Sequence, residues 1–175
     1  MDVSFYLQLK IRNNFTTLLN HIQLFTDGSA SPQYGVGAWA ACLVGPDGEQ
    51  ELKGTARAVT HHTMELQPVI EGLQHLRRQG GKVDRVVVYS DSQYVADLPE
   101  RRSRLESAGY LTQKGKEVKN RQLIRQLFEL LDRFSVVMRR VPSHSKAGES
   151  EITDYNRKVD KLSRELVRQM IRGDQ

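Results

Sequence analysis

Apolar and polar residues follow two spacings along this chain, one typical of β-strands and the other of α-helices. Short apolar or alternating runs bounded by turn residues predict five strands, at 22–26, 35–43, 51–59, 85–90 and 135–141. Apolar residues three or four positions apart predict long helices around 66–76 and 123–131 and from about 154 to 172, with shorter helices at 92–97 and 99–108. The length of 175 residues and this succession of elements indicate one α/β domain.

The connections between the predicted strands constrain how the strands pair. Short turns join the first three strands, one of them at 45–48, so these strands form an antiparallel meander. Each later strand follows a helix, and the three valines at 86–88 are typical of a parallel strand that is buried on both faces. We therefore expect a mixed five-stranded sheet with helices on both of its faces.

Carboxylates stand at the ends of two predicted strands. Asp27 is expected to be the last residue of the first strand, with Gly28 turning the chain away in a turn at 28–32. Asp91 follows the strand at 85–90 directly. If these two strands are parallel neighbours, both carboxylates meet at the edge of the sheet where open α/β folds place their sites.

The composition excludes several classes of protein. Apolar residues make up 38% and charged residues 27% of the chain, which is typical of a folded domain. No apolar run approaches the ~20 residues of a membrane span, and the N-terminus does not resemble a secretory signal. The single cysteine, Cys42, excludes an internal disulfide and a cysteine-built zinc site, and its apolar neighbours predict a buried thiol. We expect a cytoplasmic protein without a membrane partner.

The positive charge is concentrated in one stretch, residues 101–121, which we call the basic segment. It contains seven basic and two acidic residues and so carries the whole net charge of +5. A local excess of this kind is a candidate surface for anions or nucleic acid.

Six short segments, found in the family's order, resemble the motifs of type 1 ribonuclease H. They are Thr-Asp-Gly-Ser at 26–29, Thr-Met-Glu-Leu at 63–66, Ser-Asp-Ser-Gln-Tyr-Val at 90–95, Val-Lys-Asn at 118–120, Val-Pro-Ser-His at 141–144 and Asn-Arg-Lys-Val-Asp-Lys-Leu at 156–162. The basic segment lies where bacterial members carry a basic handle. The resemblance implies a ribonuclease H domain at 22–172, with strand order 3-2-1-4-5, preceded by an N-terminal extension at 1–21 to which no role is assigned.

The same resemblance implies hydrolysis of the RNA strand of an RNA–DNA hybrid by two metal ions, giving 5′-phosphate and 3′-hydroxyl ends. The implied ligands of two Mg²⁺ ions, for which Mn²⁺ can substitute, are Asp27, Glu65, Asp91 and Asp160. His144 matches the loop histidine that helps to protonate the leaving group or to release product. The loop before Asp160 is longer than the family's usual one, which leaves Asp154 as the alternative fourth ligand.

The resemblance also implies a set of substrate contacts, some of which differ from the family pattern. His61 and His62 occupy positions where many relatives have asparagine, and the handle lacks the family's tryptophans. The implied contacts to the hybrid are Gly28, Ser29, Thr60, His61, Gln93, Arg101, Arg102, Arg104, Lys114, Lys116, Lys119 and Asn120.

Three other interpretations remain open at this point. The chain could be a non-catalytic nucleic-acid-binding module of the same fold, another metal-dependent nuclease of the resolvase or transposase kind, or a domain released from a reverse transcriptase. The complete carboxylate set, the close match at 90–95, the basic segment and the initial Met favour a stand-alone ribonuclease H. We expect a monomer that needs no small-molecule cofactor.

Overall fold

The computed structural model describes residues 21–142 and 148–173. The proposed N-terminal extension, apart from residue 21, and His144 lie outside these ranges. The described elements, in chain order, are β1 (His21–Ser31), a 3-10 turn (Pro32–Tyr34), β2 (Val36–Gly45), β3 (Gly48–Arg57), α1 (His61–Gln79), β4 (Arg85–Ser90), α2 (Gln93–Ala96), α3 (Leu98–Ser107), α4 (Arg121–Arg133), β5 (Val136–Arg140) and α5 (Glu151–Gly173).

The five strands form one mixed sheet in the order β3-β2-β1-β4-β5, which confirms the predicted topology. β1 is antiparallel to β2 and parallel to β4, and β4 is parallel to β5. The register pairs Thr26 with Ser90, so the residues that follow them, Asp27 and Asp91, lie side by side.

Two hydrophobic layers cover the two faces of the sheet. On one face α1 and α4 bury the larger cluster, which includes Leu24, Leu66, Val86, Val88 and Ile124. On the other face α5 covers a cluster that includes Phe25, Cys42, Tyr89 and Val159. Cys42 has no exposed surface, as its apolar neighbours predict. None of the helices in the described ranges has the length and apolar character of a membrane span.

The prediction that β1 ends at Asp27 and that Gly28 opens a turn is wrong. The strand continues to Ser31, and Gly28 pairs with Trp39 of β2. Glycine is needed here for close packing: an added Cβ would overlap the Met64 carbonyl group and lie 2.6 Å from the Glu65 backbone nitrogen. The first turn of α1 therefore rests directly on β1 beside Asp27.

The start of α5 also differs from the prediction, since the helix begins at Glu151 rather than near Asp154. Ser150 and Thr153 exchange hydrogen bonds, with the Thr153 backbone N–H 3.2 Å from Ser150 Oγ and the Ser150 N–H 3.0 Å from Thr153 Oγ1. This is the arrangement of a capping box, and it fixes an earlier start. Asp160 consequently lies about two and a half turns into α5, not close to its beginning.

Candidate active site

A cleft of about 410 Å³ opens where the carboxyl end of β4 lies beside β1. Four different elements or their flanking turns contribute its acidic side chains, which are Asp27, Glu65, Asp91 and Asp160. The cleft also contains Gly28, Ser29, His61, His62, Ser92, Gln93, Tyr94 and Arg164. The structure thus brings together the four carboxylates that the resemblance implied.

Asp27 is the most perturbed of these groups. Its pKa is raised from 3.8 to about 6, first because the carboxyl group is buried and then because the Asp91 and Asp160 carboxylates repel its charge. The Ser163 hydroxyl, which donates a hydrogen bond to Asp27 Oδ2, opposes this shift. Asp27 is therefore a carboxylate held in an unfavourable position that a nearby cation would relieve.

Glu65 lies in the first two turns of α1, on the side that faces the cleft. Its Oε1 is 3.2 Å from His61 Nε2, and its Oε2 is buried with no hydrogen-bond partner in the described part of the chain. Burial raises the pKa of Glu65, but the His61 and Ser92 side chains outweigh it and hold that pKa below its usual value. In return, the Glu65 carboxylate raises the pKa of His61. One oxygen of an ionised, half-buried carboxylate is therefore left for a ligand.

The turn after β4 fixes Asp91. The Ser92 backbone N–H lies 3.2 Å from Ser90 Oγ, and Ser92 Oγ accepts from the Val95 N–H at 3.3 Å. Ser92 thereby caps the short helix α2 and holds the backbone on both sides of Asp91. The two serines of the 90–95 motif thus hold the backbone in the conformation that positions the Asp91 carboxylate.

The structure places Asp160, and not Asp154, in the cleft. Asp160 Oδ1 accepts from Arg164 Nε at 2.7 Å, and both residues line the cavity. Asp154 is exposed and accepts from the Gly148 N–H at 2.9 Å, so its carboxylate fixes the turn that leads into α5.

The fit of these residues to divalent cations can be judged from their contacts. No three acidic, histidine or cysteine side chains in residues 21–142 and 148–173 already converge as a metal site. Three carboxylates are instead engaged by protein groups: Asp27 by Ser163, Glu65 by His61 and Asp160 by Arg164. Carboxylate oxygens are the ligands that hard cations such as Mg²⁺ and Mn²⁺ prefer. The buried Oε2 of Glu65 could accept such an ion, and its positive charge would offset the repulsion and burial that disfavour the Asp27 carboxylate.

Among the residues that contact the carboxylates, sequence reasoning did not single out Ser163, which donates to Asp27, or Arg164, which donates to Asp160. Ser163 is fully buried within the apolar stripe of α5, between Val159 and Val167. A serine at a core position, three residues after a candidate ligand, was the signal that could have indicated it. Arg164 follows Asp160 at the spacing of helical ion pairs, which was a weaker signal.

The predicted substrate contacts fall into two groups. Gly28, Ser29, His61 and Gln93 line the cleft. Thr60 lies at the N-cap of α1 and connects to Asn120 through Thr63, whose hydroxyl is 2.8 Å from Thr60 Oγ1 and donates to Asn120 Oδ1 at 3.1 Å.

The basic segment borders the cleft through Tyr94. The His62 ring stacks on one side of Tyr94, with centroids 4.1 Å apart, and the Arg101 guanidinium lies 5.9 Å from the same ring. Arg101 and Arg104 line a groove of about 420 Å³. Lys114, Lys116 and Lys119 are exposed in the loop that follows α3.

Arg102 differs from its neighbours in the basic segment. Its guanidinium donates to both oxygens of Asp132, at 2.5 and 2.8 Å, and to Glu106 at 2.8 Å. It also lies 5.1 Å from the centre of the Phe128 ring. These contacts join α3 to α4, so the charge of Arg102 is already engaged within the protein.

Comparison with known proteins identifies the family of this chain. The family model described as RNase H matches residues 20–168. Among curated relatives, a ribonuclease H of Nitratidesulfovibrio vulgaris is 37% identical over 85% of this chain and 94% of its own length. A ribonuclease H of Chlorobium luteolum is 33% identical over 83% of this chain and 94% of its own length.

Solved structures share the fold at lower identity. The N-terminal RNase H domain of a Mycobacterium tuberculosis protein has a TM-score of 0.66 at 19% identity and covers 89% of this chain and 99% of that one. A foamy viral protease–reverse transcriptase in complex with RNA/DNA hybrid has a TM-score of 0.65 at 19% identity, covering 82% of this chain and 19% of that one. With the family model spanning most of the chain and bacterial relatives above 30% identity, this protein belongs to the ribonuclease H family.

Proposed function

We propose that this protein is an endoribonuclease that hydrolyses the RNA strand of an RNA–DNA hybrid and leaves 5′-phosphate and 3′-hydroxyl ends. The observation that carries the proposal is the meeting of Asp27, Glu65, Asp91 and Asp160 in one cleft of a ribonuclease H family member. A non-catalytic module would gain nothing from the burial and the like-charge repulsion that raise the pKa of Asp27.

The four carboxylates would hold two Mg²⁺ ions, or Mn²⁺ in their place. Such a pair, when bound, polarises the scissile phosphate and lowers the pKa of the attacking water. Ser163 orients the Asp27 carboxylate, and His61 positions Glu65 so that its second oxygen is free. We propose His144 as the group that protonates the leaving oxygen or assists product release.

Recognition of the hybrid is proposed to rest on the cleft wall and on the basic segment. Gly28, Ser29 and Gln93 line the cleft, and we propose that they meet the minor groove, where the 2′-hydroxyl distinguishes RNA from DNA. Thr60 and Asn120 are joined through Thr63 at a helix N-terminus, which suits a phosphate of the DNA strand. We further propose that the enzyme acts as a monomer in the cytoplasm.

A cleavage assay on matched substrates tests the proposal. Hybrid, double-stranded RNA and double-stranded DNA of one sequence are incubated with Mg²⁺, Mn²⁺ or EDTA. We expect only the hybrid to be cut, only with metal, and only in its RNA strand. Cleavage in EDTA, or equal cleavage of double-stranded DNA, contradicts the proposal.

Two variants within α5 provide the matched pair for that assay. Asp160→Asn is expected to lower the cleavage rate by about 100-fold or more, because it removes a charge from the cleft. Asp154→Asn is expected to retain the rate within about threefold, because Asp154 contacts the Gly148 backbone instead. The reverse pattern would assign the fourth ligand to Asp154.

Alanine substitutions at two arginines of the basic segment are expected to affect different properties, one the thermal stability and the other the binding of hybrid. Arg102→Ala should lower Tm by roughly 2–4 °C, since it breaks the link between α3 and α4. Arg104→Ala should leave Tm unchanged and reduce the salt slope of hybrid binding by about 1, as loss of one phosphate contact does. Thermal melting and fluorescence anisotropy measure the two effects. Equal salt slopes for Arg104→Ala and the wild type would remove Arg104 from the binding surface.

A further inference from the structure

A second basic surface lies outside the basic segment, along one flank of α5. Arg157, Lys161, Arg164 and Arg168 follow one another at intervals of four, three and four residues, which places them on the same side of the helix. All four are exposed. The buried stripe of the helix, which includes Val159 and Val167, occupies a different side. The row of cations extends for about 16 Å at the helical rise of 1.5 Å per residue.

This second basic surface cannot be recognised from the net charge of the chain. The seven cations and two acids of the basic segment already equal the net charge of +5, so the sum suggests a single patch. The fold nevertheless groups several cations along α5. A groove of about 530 Å³ along α5 is lined by Arg157, Lys158, Asp160, Lys161, Arg164 and Arg168, only one of which is acidic.

This surface is continuous with the active-site cleft. Asp160 and Arg164 line both the cleft and the groove along α5. A strand of nucleic acid that leaves the carboxylates on this side would therefore meet the α5 cations next.

The α5 cations and the basic segment lie on opposite sides of the cleft. The basic segment connects to α1 through Asn120 and Thr63, and α1 packs on one face of the sheet. α5 packs on the other face, where Val159 joins the cluster around Phe25. The carboxylates of β1 and of the turn after β4 lie at the sheet edge between them.

Two of the four cations form ion pairs within the protein. Arg164 pairs with Asp160 at 2.7 Å and Arg168 with Glu165 at 2.8 Å, both on the surface, where ion pairs exchange readily for other anions. Within residues 21–142 and 148–173, neither Arg157 nor Lys161 has a carboxylate within 4.0 Å. The flank thus presents free or weakly paired donors.

We infer that the α5 flank binds backbone phosphates of the hybrid on the side of the cut away from the basic segment. This inference rests on the proposed function and extends the binding surface beyond the cleft. The row of cations is about 16 Å long, which is long enough to meet several phosphates of one strand. Two or three contacts of this kind fix the duplex on both sides of the scissile bond and are independent of base sequence.

The test compares two triple variants that remove equal charge. The first is Arg157→Gln/Lys161→Gln/Arg168→Gln, which spares Arg164 because that residue lines the cleft. The control is Arg77→Gln/Lys82→Gln/Arg85→Gln, three exposed cations at the opposite end of the sheet. Binding of a fluorescein-labelled hybrid is followed by anisotropy in EDTA between 50 and 200 mM salt. Circular dichroism confirms folding, and the single variant Lys161→Glu serves if the triple variant does not fold.

The α5 variant is expected to reduce the slope of log Kobs against log salt by about 2, because each lost phosphate contact removes about 0.9. Over that salt range the wild type then loses about tenfold more affinity than the α5 variant, while the control follows the wild type. Equal slopes for the α5 and control variants overturn the inference even where the wild type cuts the hybrid. Failure of the proposed function differs, since the wild type itself then neither cuts nor binds the hybrid.

Discussion

Asp27→Asn is expected to make the metal-free protein more stable at pH 7 while it lowers the rate of hybrid cleavage by about 100-fold or more. Both effects come from the same buried carboxyl group, whose pKa is raised from 3.8 to about 6 by burial and by Asp91 and Asp160. The carboxylate that we propose as a metal ligand is, without metal ions, a charge that the folded state holds at a disadvantage.

The sign of the pH dependence follows from where the proton binds more tightly. The folded state holds the Asp27 proton to about pH 6, whereas the unfolded chain releases it near its ordinary value of 3.8. Below that value Asp27 is protonated in both states and does not affect stability. As pH rises from 3.8 to 6, ionisation favours the unfolded chain, and above pH 6 the full penalty of roughly 2–3 kcal/mol remains.

Urea denaturation in EDTA from pH 4 to pH 8 measures this penalty. The free energy of unfolding of Asp27→Asn should equal that of the wild type near pH 4 and exceed it by roughly 2 kcal/mol above pH 6. If Asp27 is a metal ligand as we propose, Mg²⁺ should stabilise the wild type more than the variant. Asp154→Asn removes the same charge from an exposed carboxylate outside the cleft, which accepts from the Gly148 N–H, and it serves as the control. A difference in the free energy of unfolding between variant and wild type that does not change with pH would show that the charge of Asp27 is not what destabilises the fold.

The sheet could be predicted from sequence because its connections leave few alternatives. Turns too short for a crossover force β1, β2 and β3 into a meander, and the helix before β4 permits a parallel strand beside β1. Asp27 and Asp91 were therefore predicted correctly to be neighbours, although β1 does not end at Asp27.

The rest of the site depends on contacts between distant residues, which local patterns do not contain. In the sequence, Gly28 after Asp27 is typical of a turn; only the fold shows that the Met64 backbone lies against it and requires glycine. Ser163 interrupts an apolar stripe for a reason that only its approach to Asp27 explains. The choice between Asp154 and Asp160 similarly depends on where α5 begins, which the Ser150–Thr153 cap determines.

Gly28→Ala is expected to destabilise the protein by at least about 3 kcal/mol, at the upper end of the range for overpacked sites. The added Cβ would meet backbone, the Met64 carbonyl and the Glu65 nitrogen at 2.6 Å, and not a side chain that can rotate away. Either β1 separates from β2 near Trp39 or the first turn of α1 moves outward. The second response displaces Glu65 from the cleft, so cleavage per folded molecule should also fall.

Alanine substitutions at two other glycines serve as controls for Gly28→Ala, measured by the same urea denaturation and cleavage assays. At Gly72 the added Cβ would lie 2.7 Å from the end of the Leu24 side chain, which can shift, and alanine is the better helix former by about 1 kcal/mol, so a net loss of roughly 1 kcal/mol is expected. At Gly81 nothing lies within 4 Å, and alanine should be neutral or stabilise by up to about 1 kcal/mol. The expected order of destabilisation is therefore Gly28, then Gly72, then Gly81, with cleavage lost only at Gly28. A Gly28→Ala protein as stable and active as Gly81→Ala would mean that close contact between β1 and α1 does not position Glu65.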